Sequence, residues 1–233
     1  MRFTISGMPI EVIKKNIKNL HLSVMPPNGH IIASVPLSIS DENIRLFICS
    51  KIRWIKVQQE KYKNQLRHTP RQFVSGETLF VWGKQYFLQV NYKHKGNNLA
   101  LFGDKATLTV REESTIVQRE NFVNKWLRTE LKKEIFKRLP LWEQKTGLKC
   151  LVWQIRYMKT RWGTYSEKTG RILFNLQLAK KPFKCLDYII VHELGHKKYR
   201  RHDKNFIAYM DTYFPHWRET KKLLNEKTLD YLE

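Results

Sequence analysis

The stretch Leu186-Asp187-Tyr188-Ile189-Ile190-Val191-His192-Glu193-Leu194-Gly195-His196-Lys197-Lys198-Tyr199-Arg200-Arg201-His202-Asp203-Lys204-Asn205-Phe206 decides how the chain is read. An apolar run that leads into His-Glu-x-x-His predicts a buried helix presenting two imidazoles and a carboxylate at one place. At roughly 100° per residue, His192 and His196 lie about 40° apart and one turn removed, so both rings can reach one cation. Neutral imidazole suits zinc, and a catalytic zinc takes three protein ligands and keeps one position open. Glu193, beside them, is then placed to be the general base.

The third ligand follows from what an unbroken helix would do. His202 would fall roughly 240° round from His196 and could not reach the same ion. The chain is therefore expected to leave the helix near Tyr199–Arg201 and turn back, with Asp203 as N-cap of a further helix over Lys204–Met210. His216 and Glu219 are the rival third ligands. The bland alternative for the whole motif is two histidines on a helix that merely packs.

Outward from this stretch, composition sets bounds. At 233 residues with 42% hydrophobic content, seven Trp and twelve Phe, the chain can build substantial cores. No run approaches a membrane span, and the N-terminal Met1–Asn16 lacks the apolar core of a signal peptide, so the expected location is cytoplasmic. Cys49, Cys150 and Cys185 form no CxxC pair and are read as reduced and mostly buried. The 43 Lys plus Arg against 21 Asp plus Glu give +22, which points to a polyanionic partner, most simply nucleic acid, or else to solvated lysine-rich faces. Lys197, Lys198, Arg200 and Arg201 would form a basic flank to the metal site, or cap a helix C-terminus.

Alternating patterns at residues 10–15, 20–24 and 31–36, with a turn at Pro26–His30, predict a small antiparallel sheet. Ser40–Asn43 opens a long helix with Ile44, Phe47, Ile48, Ile52, Ile55 and Tyr62 as its apolar stripe and a basic opposite face from Lys51 to Lys63. Residues 73–110 read as a meander of short strands. Ser114–Gly147 reads as a helix with Phe122, Trp126, Ile135, Phe136 and Leu139 as its stripe, kinked or ended by Pro140. A hairpin is expected over Trp153–Leu178, turning at Gly170, beside the metal, with an edge open to an extended peptide. The fold class is α+β, with a β-rich region over 1–112 containing one long helix and a metallohydrolase domain over 113–233.

Met158-Lys159-Thr160-Arg161-Trp162-Gly163-Thr164-Tyr165-Ser166, then Asn175-Leu176-Gln177-Leu178, then Asp187–His196 and Arg201–Phe206 together resemble the YgjP-like metal-dependent hydrolases, zincin metallopeptidases related to the WLM and SprT-like groups. The resemblance is strongest over Arg156–Phe206. It implies zinc on His192, His196 and His202, with Glu193 as the catalytic glutamate. Its hairpin motif falls on Lys159, Arg161, Trp162 and Gly163, and its strand asparagine on Asn175. Where that motif continues Ser-Cys-Ser, this chain has Thr164-Tyr165-Ser166, so no cysteine role carries over. The His-Glu-x-x-His-x5-His spacing also fits metzincins, but Tyr199 replaces their glycine and Met210 lies in a helix.

The expected function is therefore an intracellular zinc-dependent hydrolase acting on a peptide or protein. Arg161 and Tyr165 are the candidates for stabilising the oxyanion. The alternative is a basic nucleic-acid-binding protein with a structural or vestigial metal site, and the two combine if the enzyme acts near nucleic acid. Oligomeric state is not legible.

Overall fold

The computed structural model describes residues 1–25, 29–63, 71–94 and 96–226. Pro26, Pro27 and Asn28 of the expected turn, and the side chains of Lys61, Tyr62 and Lys63, lie outside the described residues. The protein is α+β and divides into two compact units, Met1–His68 and Thr69–Leu229. Among the described residues no helix is long and apolar enough to cross a membrane.

In the first unit, β1 (Arg2–Ile5) and β2 (Met8–Lys15) form a hairpin through Ser6 and Gly7, both at positive φ (51° and 75°), as a two-residue type I′ turn requires. β3 (His21–Met25) and β4 (His30–Pro36) form another antiparallel pair, and the sheet order is β1-β2-β4-β3. The central pair β2/β4 is parallel, so the expected all-antiparallel sheet is corrected to a mixed one. Alternation of buried and exposed residues is the same in either pairing, which is why the pattern could not tell them apart.

Ser40 caps α1 (Asp41–Ser50) by accepting from the Asn43 N–H. The expected single long helix breaks at Lys51, whose N–H reaches back to the Ile48 carbonyl, and resumes as α2 (Ile52–Lys63). The stripe residues Ile44, Ile48 and Ile55 are fully buried with Ile10, Ile31, Ala33 and Val35 in the core of this unit.

The second unit begins with β5 (Thr78–Val81) and β6 (Lys84–Tyr92), joined by Trp82 and Gly83, again both at positive φ. β7 (Asn98–Phe102) and β8 (Lys105–Val110) complete a sheet of order β5-β6-β8-β7 with β6 and β8 parallel, which replaces the expected meander. α3 (Ile116–Thr146) starts at a capping box between Thr115 and Gln118 and ends at Gly147 in the left-handed conformation. It buries Val123, Leu127, Leu131, Ile135 and Leu139, whereas Phe136 is exposed. Pro140, expected to kink or end the helix, does not end it. The proline lies on the exposed face, as does Phe136 four residues earlier, so water can satisfy the carbonyl that loses its helical partner. Leu79, Leu88, Leu108 and Val110 share one core with α3, so the boundary expected near residue 112 falls inside this unit.

β9 (Val152–Arg156), β10 (Gly163–Ser166) and β11 (Arg171–Asn175) form a third sheet, ordered β10-β11-β9. Only β10 and β11 make the hairpin, closed by Gly170 at φ 59°, while β9 pairs parallel to β11 on its other side. The expected hairpin from Trp153 is thus corrected to a shorter one, and Leu176–Lys180 is a buried 3₁₀ turn rather than strand. α4 (Phe183–Gly195), α5 (Lys204–Tyr213) and α6 (Trp217–Glu226) complete the unit.

Candidate metal centre

Most of α4 is buried, from Cys185 through Gly195, so its apolar sequence is explained by surroundings rather than by one stripe. Asp187 anchors it to α3. Its carboxylate accepts from Arg138 Nη1 at 2.7 Å and from Trp142 Nε1 at 2.8 Å, while Arg138 Nε donates to Glu134 at 2.8 Å. The helix ends at Gly195 with His196 as C-cap, and the Lys197, Lys198 and Tyr199 N–H groups fold back onto the Leu194 and Gly195 carbonyls. The break predicted near Tyr199–Arg201 therefore begins a few residues earlier.

Gly195 makes this turn compact. A Cβ there would stand 2.6 Å from the Tyr209 ring, and the Tyr209 hydroxyl donates to the Val191 carbonyl at 3.1 Å. Asp203 caps α5 by accepting from the Asn205 and Phe206 N–H groups, each at 3.1 Å. His202 is thereby brought back towards α4.

The result is a convergence of three ring nitrogens. His192 Nε2 lies 3.2 Å from His196 Nε2 and 3.1 Å from His202 Nε2, and the ligand atoms of all three fall within 4.8 Å of one another. Nitrogens at the usual zinc distance in a tetrahedral site stand roughly 3.3 Å apart, so the observed spacing fits such an ion. His196 Nδ1 is 2.9 Å from the Tyr199 carbonyl. A carbonyl only accepts, so the proton sits on Nδ1 and the Nε2 lone pair faces the cluster. Burial, then the neighbouring His196, His202 and Lys221, lowers His192 to about 3, and burial also lowers His202, so both rings are neutral and able to ligate at pH 7.

Phe206 is the member that sequence reasoning missed. Its buried ring lies 5.0 Å from the His192 and His196 centroids and 4.7 Å from that of His202, backing all three. Its position just inside the Asp203 cap was the available signal. His216 and Glu219, the rival ligands, face each other at 4.0 Å, both strongly exposed, and are not part of this cluster.

Glu193 is 4% exposed. Burial pushes its carboxyl up to about 8, opposed by the Tyr165 backbone N–H and by the charge of Arg161. β10 passes very close to it, since a Cβ on Gly163 would lie 2.7 Å from Glu193 Oε1. These side chains line a cleft of about 440 Å³ formed by Arg161, Gly163, Thr164, Tyr165 and Glu167 on one side and the three histidines, Glu193 and Arg200 on the other. Tyr165 is half-buried with its ring packed on the core, whereas Arg161 is exposed. β10 is an edge strand of its sheet.

Three of the four flanking cations are engaged locally. Lys197 Nζ donates to the Lys149 carbonyl at 2.9 Å, Lys198 lies over the Tyr199 ring, and Arg200 Nε donates to Glu167 at 2.9 Å. All three cysteines are free. Cys49 is exposed rather than buried, and burial raises the thiols of Cys150 and Cys185, the latter to about 11.

No curated protein matches the chain. Among solved structures, the metallopeptidase zymogens abylysin of Pyrococcus abyssi and jannalysin of Methanocaldococcus jannaschii are similar over 40% of this chain and 93% and 94% of theirs, each at 22% identity, with TM-scores of 0.37 and 0.36. The model of the YgjP-like metallopeptidase domain matches residues 18–227, nearly the whole sequence, and the chain belongs to that family of metal-dependent peptidases.

Proposed function

We propose that the protein is an intracellular zinc-dependent peptidase in which His192, His196 and His202 hold the metal and Glu193 is the general base. The observation that carries this reading is the convergence of three imidazoles, within 4.8 Å of one another, in the cleft that Glu193 also lines. When bound, zinc supplies Lewis acidity, polarising a carbonyl and lowering the pKa of a water towards ~7.

The chain's own groups do the rest. Glu193, oriented by the Tyr165 N–H, takes a proton from the attacking water and delivers it to the leaving amine. A cation in the histidine cluster favours the carboxylate form and opposes the effect of burial on Glu193. The open edge of β10 offers main-chain hydrogen bonds to an extended substrate. Of the two oxyanion candidates, the half-buried Tyr165 better meets the need for a donor shielded from water, which leaves the exposed Arg161 free to contact substrate.

The test is Glu193→Gln. Zinc content by elemental analysis should match the parent, and peptide hydrolysis should fall to background; undiminished turnover would sink the mechanism. The nucleic-acid reading rests on net charge alone, since three of the four cations beside the site are engaged.

A further inference from the structure

The two ends of β10 differ in charge. Beyond Ser166, Glu167 is paired with Arg200, so that end of the cleft is neutralised. Ahead of Gly163, Arg161 lines the same cleft and makes no ion pair or side-chain hydrogen bond among the described residues. The other anion of the cleft, Glu193, is buried and accepts from the Tyr165 N–H, and the charge of Arg161 acts on it only through space, without an ion pair. A metal ion would add further positive charge. The cleft is therefore short of an anion at its Arg161 end.

Arg161 is exposed, but its backbone is not loosely held. Asn175 is fully buried, and its amide donates to the Met158 and Arg161 carbonyls, both at 2.7 Å. Its Oδ1 accepts from the Met158 and Gln177 N–H groups at 3.3 and 3.1 Å, and its own N–H donates to the Trp162 carbonyl at 2.9 Å. Next to Arg161, Trp162 Nε1 donates to Asn225 at 3.3 Å. One satisfied amide thus ties the segment before β10 to the end of β11. A guanidinium on a fixed backbone, in no ion pair or side-chain hydrogen bond and facing the substrate cleft, has the properties of a carboxylate receptor.

We propose that Arg161 is a specificity-determining residue that binds a substrate carboxylate close to the scissile bond, on the side where the substrate passes the N-terminal end of β10. The proposal rests on the peptidase reading. Gly163, where β10 meets Glu193, is two residues from Arg161, so at about 3.3 Å per residue the carboxylate falls within roughly two substrate residues of the cleaved bond. It can be an acidic side chain or the free C-terminus of a short peptide.

The test uses the zinc-loaded full chain and quenched fluorescent peptides in pairs that differ only as Glu against Gln at each of the two positions on either side of the cleaved bond, and as free acid against amide at the C-terminus. The wild type should favour one carboxylate member about tenfold, through KM. A Glu preference assigns the side chain, and a free-acid preference assigns the terminus. Arg161→Gln should erase the preference, Arg161→Glu should favour Lys at the same place, and Asn175→Asp should weaken discrimination. Equal wild-type rates within every pair, or an equal loss on both members in Arg161→Gln, overturns the proposal.

Calorimetric binding of the same peptides to Glu193→Gln, with and without Arg161→Gln, separates the two readings. A carboxylate preference in binding with no wild-type hydrolysis would remove the peptidase reading and keep the Arg161 site. Hydrolysis without preference would do the reverse, and neither binding nor hydrolysis of any peptide would overturn both.

Discussion

The sheets β1–β4 and β5–β8 have the same strand order, the same parallel central pair and the same opening hairpin through a two-residue turn at positive φ. What differs is what the opening turn touches. A Cβ on Gly7 would meet nothing within 4 Å, whereas one on Gly83 would stand 2.6 Å from Pro182. The Trp82 and Gly83 N–H groups donate to the Ala179 and Lys180 carbonyls at 2.8 and 3.1 Å, and the Trp82 ring stacks on Phe183 at 4.5 Å. The second turn therefore holds the start of α4, the helix that carries His192 and Glu193. One topology serves in one place to complete a small core and in the other to bracket a site. Strand order alone does not assign a role, and the contacts made by the turn do.

The widest separation between the two units is expected in their response to pH with the metal removed. His192 is lowered to about 3, so between that and its ordinary 6.5 the unfolded chain binds more protons, and stability is lost as pH falls below about 6.5. Glu193 is raised to about 8, so between 4.5 and 8 the folded state binds more protons, and stability is lost as pH rises through that window. The two slopes oppose each other between 4.5 and 6.5, which should be the plateau of the metal-free second unit, with a loss of about 2 kcal/mol on either side at ~1.4 kcal/mol per pH unit. In the first unit Glu11, lowered by its hydrogen bond to His30 at 2.8 Å, loses stability only as pH falls below about 4.5, and it is exposed enough for the effect to be small. Hydrogen exchange in chelator from pH 4 to 9 reads each unit separately, and parallel profiles would break the contrast.

Core truncation comes next. Leu108→Ala in β8 and Ile31→Ala in β4 remove fully or nearly fully buried side chains from equivalent central strands, and each should cost about 2–5 kcal/mol. Only Leu108→Ala should weaken zinc retention, because Leu108 shares its core with Val191 and Leu194 of α4. Competition with a chelating dye measures this, and equal loss of zinc in both variants would argue against the assignment.

The smallest effect sharpens the comparison most. Gly7→Ala meets only the cost of a positive φ, about 1 kcal/mol, while Gly83→Ala adds the clash with Pro182 and should cost ~2 kcal/mol or more. Urea unfolding of the two variants side by side checks it. Hydrolysis should fall in Gly83→Ala and hold in Gly7→Ala.

Features set by nearby residues were legible in the sequence. The Ser40 and Asp203 caps, the buried apolar lead-in to His192 and the turn that returns His202 follow from short-range rules about donors, periodicity and helix angle. Features set by distant partners were not. Parallel pairing of β2 with β4 and of β6 with β8 leaves the alternation unchanged. The continuation of α3 through Pro140 depends on which side faces water. The approach of Gly163 to Glu193 and the backing of three imidazoles by Phe206 need the third dimension.

Gly195 has a wider consequence. The helix that bears His192, Glu193 and His196 is written in two overlaid messages, one for chemistry and one for fit, and residue 195 belongs to the second. Nearly every position of α4 is committed to one or the other, which leaves little room for drift. Divergence in what relatives of this chain accept as substrate should therefore accumulate at exposed positions of the segment that leads into β10, such as Arg161, where residues can change without reopening the core.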